Sequence, residues 1–169
     1  MPRNPRGRVR LRYEADVRVF VDADACPVKQ EVYRVAERHR LEVVVVSNSP
    51  LNIPADPMVS SVVVREGIDA ADDWIVDHLG EDDIVVTGDI PLAARSLRKG
   101  AHALGFAGRP FTLDNIGDAL ATRDLLAGLR EQGEVSSGPP PFQKQDRSRF
   151  LQGLERLIQQ VRRKDAADS

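Results

Sequence analysis

At 169 residues the chain has the length of one domain, and 41% hydrophobic with 30% charged residues, 12 Gly and 11 Pro is an ordinary globular composition, which excludes collagen-like, low-complexity or wholly disordered chains. No apolar run reaches the roughly 18 residues that span a bilayer, the first residues lack the apolar stretch of a signal peptide, and the single cysteine, Cys26, cannot close an internal disulfide, so a cytoplasmic protein is expected. The formal charge of −2 hides a division: residues 1–12 carry five Arg and no acid, residues 142–164 carry seven Lys or Arg against two acids, and residues 13–141 carry a net −10.

An acidic body does not hold nucleic acid by bulk electrostatics, because phosphate contacts need clustered Lys or Arg. Any phosphodiester partner must be met through cations and the basic ends. Residues 1–16 read as a disordered basic arm, with Pro2 and Pro5 and no core-forming periodicity.

The β-branched run Val17 to Val21 predicts a buried strand ending at Asp22-Ala23-Asp24. Pro27 suits a first helical turn, and Val28, Val32, Val35 and Ala36 repeat at helical spacing through His39. Leu41 to Val46 predicts a second strand closing at Ser47-Asn48, and a third runs from Val59 to Val64 after a loop punctuated by Pro50, Pro54 and Pro57. Gly67 turns the chain, Asp69 is placed to cap, and Ala70, Trp74, Ile75, His78 and Leu79 share one helical face. Asp83 to Thr87 predicts a fourth strand, Gly88-Asp89 breaks it, and a helix from Pro91 to Lys99 stops at Gly100. Ala101 to Phe106 is a weaker fifth strand, followed by helices over 113–131 and 146–164 joined by a linker with Pro139-Pro140-Pro141. Strands separated by helices imply a three-layer α/β fold, a mainly parallel five-stranded sheet with helices on both faces. The expected organisation is an α/β domain over 17–132, a Pro-rich linker and packed helix over 133–164, and a disordered tail over 165–169.

Ligands of open parallel sheets bind beyond the carboxyl ends of the strands. Those ends carry Asp22 and Asp24, Ser47 and Asn48, and Thr87 and Asp89, which therefore share one rim. Asp69, Asp72 and Asp73 add carboxylates on one helical face, although Asp in a first turn also serves capping and the helix dipole. Two carboxylates about 4 Å apart repel by roughly 4 kcal/mol at an effective dielectric of 20, so a shared rim needs a cation. An Asp cluster without His or Cys suits Mg²⁺ or Mn²⁺, and such ions activate water and polarise phosphoryl oxygens. Cys26 reads as a small buried residue, and His39, His78 and His102 fall in separate elements without ligand spacing, with His78 bordering the core.

The segment Asp22-Ala23-Asp24-Ala25-Cys26-Pro27-Val28-Lys29 resembles the YaiI/YqxD family of uncharacterised bacterial proteins, relatives of the PIN-like nucleases. Ala70-Ala71-Asp72-Asp73-Trp74-Ile75, Thr87-Gly88-Asp89-Ile90-Pro91-Leu92-Ala93, Asn115-Ile116, Gly138-Pro139-Pro140-Pro141-Phe142 and Asp146-Arg147 support the likeness in the same order. It implies a PIN-like fold whose strand-end acids bind Mg²⁺ or Mn²⁺ and cleave RNA. Carried over, Asp22 is the first-strand acid, Asp89 the acid of the fourth strand's motif, and Asp72 or Asp73 the central acid, giving a metal set of Asp22, Asp73 and Asp89 with Asp24 as an additional candidate. The Arg-rich start and Gly88, where Ala is expected, depart from the family pattern. Ser47, Asn48 and Thr87 are expected to face substrate, and Lys144, Arg147 and Arg149 either fold over the rim to hold phosphates or belong to a solvated linker.

Two other readings share these residues. Phe20 to Cys26 nearly matches the first motif of haloacid-dehalogenase phosphatases, with Asp22 as nucleophile and Asp24 as acid or base, but Cys26 replaces Thr or Val, and Ala93 stands where a second metal-binding acid is expected. The third is a non-enzymatic metal- or RNA-binding module, since fold does not guarantee activity.

Overall fold

The computed structural model describes residues 17–65, 67–133 and 142–168. The expected basic arm, the Pro139-Pro140-Pro141 stretch and Ser169 lie outside the described residues. A six-stranded sheet forms the middle layer in the order β3-β2-β1-β4-β5-β6. Strands β1 (Arg18–Asp22), β2 (Glu42–Ser47), β3 (Val59–Val63), β4 (Ile84–Val86) and β5 (His102–Leu104) run parallel, and β6 (Pro110–Phe111) pairs antiparallel with β5. The sixth strand exceeds the five expected, because two residues are too few to carry a period.

Alternation along the strands separates two cores. Val19, Val21, Val43, Val45, Ile84 and Val86 face α1 (Lys29–His39) and α5 (Lys144–Asp168), whose Val32, Val35, Phe150, Leu154 and Ile158 share that cluster. Phe20, Val44, Val46 and Val85 face the opposite way, against Ala71 and Ile75 of α2 (Ala70–His78) and Leu92 and Ala93 of α3 (Ile90–Arg98). Burial on both faces explains why these strands are continuous β-branched runs. The remaining helix, α4 (Ile116–Glu131), packs on α3 and buries none of its residues.

Topology follows from handedness. The chain steps from β1 outward to β2 and β3, then returns to β4 on the other side of β1. Right-handed crossovers in opposite directions put α1 on one face and α2 and α3 on the other. Strand order therefore reverses between β1 and β4, and the carboxyl ends of these two strands are where open α/β sheets take their ligands, here called the crevice.

Three local expectations change. Residues 165–168, expected as a disordered tail, continue α5 as helix through Asp168. Asp69 occupies the cap position of α2 without a side-chain cap hydrogen bond. His78 is exposed and stacks on Trp74 with ring centroids 3.8 Å apart, because the buried stripe is Ala71, Ile75 and Leu79. Helix α5 approaches the β5–β6 turn so closely that Gly108, at φ 84°, and Gly153 meet backbone to backbone, leaving no room for a Cβ on either.

Candidate active site

The β1–β4 crevice is built by backbone and hydroxyl hydrogen bonds before any carboxylate is free to act. Asp22 ends β1 in register with Val46 and is half-buried. Thr87, fully buried just after β4, donates its hydroxyl to Asp22 Oδ2 at 2.8 Å, and its Oγ1 accepts the Asp89 backbone N–H at 2.9 Å. Asp89 caps α3, with Oδ1 accepting from the Leu92 N–H at 2.9 Å. One hydroxyl thus ties the end of β1 to the turn that starts α3.

Asp72 reaches this crevice from the first turn of α2, the crossover that delivers the chain to β4. Burial pushes its carboxyl up to about 7, and repulsion from Asp89, Asp22 and Asp69 adds to the rise, while Arg95 opposes it. Asp22 is also raised, first by burial and then by Asp89 and Asp24, against the lowering effect of the Thr87 hydroxyl. The structure therefore brings Asp22, Asp72 and Asp89 into one electrostatic group. Asp73, expected in the metal set, is exposed and turned to Arg95, which it pairs at 2.8 Å. Adjacent helical residues point about 100° apart, so only one of the two can serve the crevice.

Other expected residues have structural partners. Asp24 accepts the Asn48 backbone N–H on both oxygens, at 3.1 and 3.0 Å, which pins the Asp22–Asp24 loop to the end of β2. Ser47 is fully buried and donates to the Ser49 carbonyl at 2.5 Å, so it and Thr87 face inward rather than toward substrate. Their hydroxyls sit at strand ends inside the sheet layer, where an unpaired hydroxyl would be costly. Asn48 is exposed at the rim.

The basic start of α5 docks beside the same loop. Arg147 donates to the Pro27 carbonyl at 2.7 Å, pairs with Glu31 at 3.2 Å, and lies 5.0 Å from the Phe142 ring centroid. Arg149 pairs with Asp146 at 3.8 Å, and Lys144 is exposed. Cys26 is buried, which pushes its thiol up to about 11 and keeps it an unreactive core residue. His39 and His102 pair with Glu155 and Asp82, away from the crevice.

Gly88 has a local cause. A Cβ there would lie 2.8 Å from the Phe106 ring, so glycine at 88 goes with phenylalanine at 106. Arg95 is the residue that spacing alone did not reveal, since nothing in the chain order marks a position six residues after Asp89 as rim-facing.

Among the described residues, no group of three or more acidic, His or Cys side chains stands close enough to hold a metal ion as it is. The description "Uncharacterized BCR, YaiI/YqxD family" fits residues 20–160 as a family model. The chain belongs to the YaiI/YqxD family. It is 60% identical over 146 residues to a UPF0178 protein of Rhodospirillum rubrum, covering 86% of this chain and 97% of that one. A UPF0178 protein of Parvibaculum lavamentivorans is 59% identical over 146 residues, 86% of this chain and 96% of its own. One from Bradyrhizobium sp. is 49% identical over 153 residues, 90% and 93% of the two chains. No solved structure matches the chain. Among the described residues, no helix is long and apolar enough to cross a membrane.

Proposed function

We propose that this member of the YaiI/YqxD family is a Mg²⁺- or Mn²⁺-dependent phosphodiesterase acting on RNA, with Asp22, Asp72 and Asp89 as its working carboxylates. The observation that carries the reading is their convergence: acids from β1, α2 and the β4–α3 turn come together at the switch point, where burial and then the charge of Asp89 raise the carboxyls of Asp22 and Asp72. Such repulsion lowers stability and persists where function needs it. The donors fit a hard divalent ion, which takes one or two carboxylates and fills its remaining positions with water and phosphate oxygens. A preformed three-acid cage is not required by that habit. Bound there, the ion supplies Lewis acidity toward a phosphoryl oxygen.

The chain's own groups do the rest. Thr87 fixes Asp22 through Oδ2, Asp89 is held by the α3 N-terminus, and Asp72, with its carboxyl near 7, can take or release a proton at neutral pH. A haloacid-dehalogenase-type phosphatase is less well supported, because both oxygens of Asp24 are committed to the Asn48 N–H and are poorly placed for acid–base work. A cytoplasmic location accords with an RNA substrate and a single unpaired thiol.

Hydrolysis of single-stranded RNA with Mn²⁺ by wild type, Asp22→Asn and Asp89→Asn tests the assignment. Asparagine keeps the cap at position 89. Loss of cleavage in both variants is expected, and equal rates in all three would overturn it.

A further inference from the structure

We propose that Arg95 is the phosphate-binding residue of this crevice, held in place by Asp73, and that it makes the site selective for a substrate with a phosphate beside the one attacked. The inference rests on the phosphodiesterase reading and adds a specificity determinant to it. An acidic rim cannot attract a polyanion unless some cation stands at its edge. At the start of α5, Arg147 is taken by the Pro27 carbonyl and Glu31. Arg95 is differently placed. It sits in the second turn of α3, which Asp89 caps, and faces α2, where Asp73 Oδ1 accepts from its Nη1 at 2.8 Å. Its charge acts on Asp72, the acid next to Asp73 in sequence and a member of the crevice group.

The Arg95 side chain is about 38% exposed, and its guanidinium has five N–H donors, of which Asp73 takes one. An arginine clamped on one edge by a carboxylate and open on the other is pre-organised for bidentate contact with phosphate. This gives the Asp72–Asp73 pair a division of labour. Asp72 joins Asp22 and Asp89, and Asp73 pairs with Arg95 beside them.

The test measures binding of a single-stranded RNA oligonucleotide to the full-length chain in an Asp22→Asn background, with Mn²⁺, over a range of salt concentrations. Arg95→Met should weaken binding about tenfold, the cost of losing a charge-assisted hydrogen bond, and flatten the log–log salt slope by about 0.7, one phosphate contact on a single strand. Arg95→Lys should restore the slope but not the full affinity, and Asp73→Asn should weaken binding several-fold with the slope unchanged. Unchanged affinity and slope in Arg95→Met, with thermal midpoints matching the parent, would overturn the proposal. If Asp22→Asn and Asp89→Asn abolish cleavage while Arg95→Met binds like its parent, the phosphodiesterase reading stands and this proposal falls. If wild type does not cleave but binding depends on Arg95, the phosphate-binding role of Arg95 stands, while the hydrolytic reading and the selectivity built on it fall. Absence of RNA binding in the parent would overturn the proposal outright.

Discussion

At the amino edge of the sheet Asp83 is buried against Arg18, accepting from its Nε, its Nη2 and its backbone N–H, and from the Gly80 N–H at 2.7 Å. There too Glu155, which burial would raise, is held below its ordinary pKa by His39 and Arg38, and Asp82 pairs with His102 and Lys164. Burial raises Asp83 as well, against the lowering effect of Arg18 and Gly80, but at the carboxyl edge Asp22 and Asp72 are raised by burial and by the acids beside them. The same residue type plays opposite parts. Where each acid has a cation the group fastens strands and helices, and where acids oppose acids the arrangement weakens the fold.

That contrast can be broken from either side. The largest effect is expected at the amino edge. Asp83→Ala leaves Arg18 buried and uncompensated, which should cost about 3–5 kcal/mol in urea unfolding, with little change in cleavage by the fraction still folded. Next, Asp72→Asn should lower the RNA cleavage rate about 10²–10³-fold, the usual loss for one electrostatic group in a reaction site, while raising the thermal midpoint at pH 8 by a few degrees. A fall in that midpoint would show that Asp72 supports the fold instead.

The pH dependence sharpens the same point. Asp72 has a folded-state pKa near 7 against an ordinary 3.8, so between those values the folded chain binds more protons than the unfolded one. Its destabilising contribution is therefore absent below about pH 4 and grows as pH rises through 7. Wild type should lose stability over that interval relative to Asp72→Asn, measured by thermal melts across pH, while cleavage should rise through pH 7 as the carboxylate forms. The smallest effect is expected at Asp24→Ala, which removes one backbone tether and should cost about 1 kcal/mol with cleavage reduced only modestly. Loss comparable to Asp72→Asn would place Asp24 in the chemistry.

Most of the architecture was legible because its signals are local. β-Branched runs bounded by Gly, Pro and Asx residues marked β1 to β4, a weaker apolar stretch marked β5, and parallel direction alone placed Asp22 and Asp89 on one rim. What was hidden depends on contacts between distant positions. The Arg18–Asp83 pair spans 65 residues, and the choice of Asp72 over Asp73 is a matter of helix phase that only packing against β1 and α3 settles. Ser47 and Thr87 carry polar side chains at strand ends, which reads as substrate contact, yet burial turns their hydroxyls to Ser49 and Asp22. The β6 strand, two residues long, has no pattern to detect.

Phe150, Leu154, Leu157, Ile158 and Val161 of α5 complete the cluster begun by β1 and α1, more than a hundred positions earlier. A ribosome therefore releases one side of the sheet long before the helix that shields it has been made. Until α5 emerges, that oily surface is open to chaperones and to other nascent chains. Messages that stop translation within α4 should yield an insoluble product, although every carboxylate of the crevice has already been synthesised.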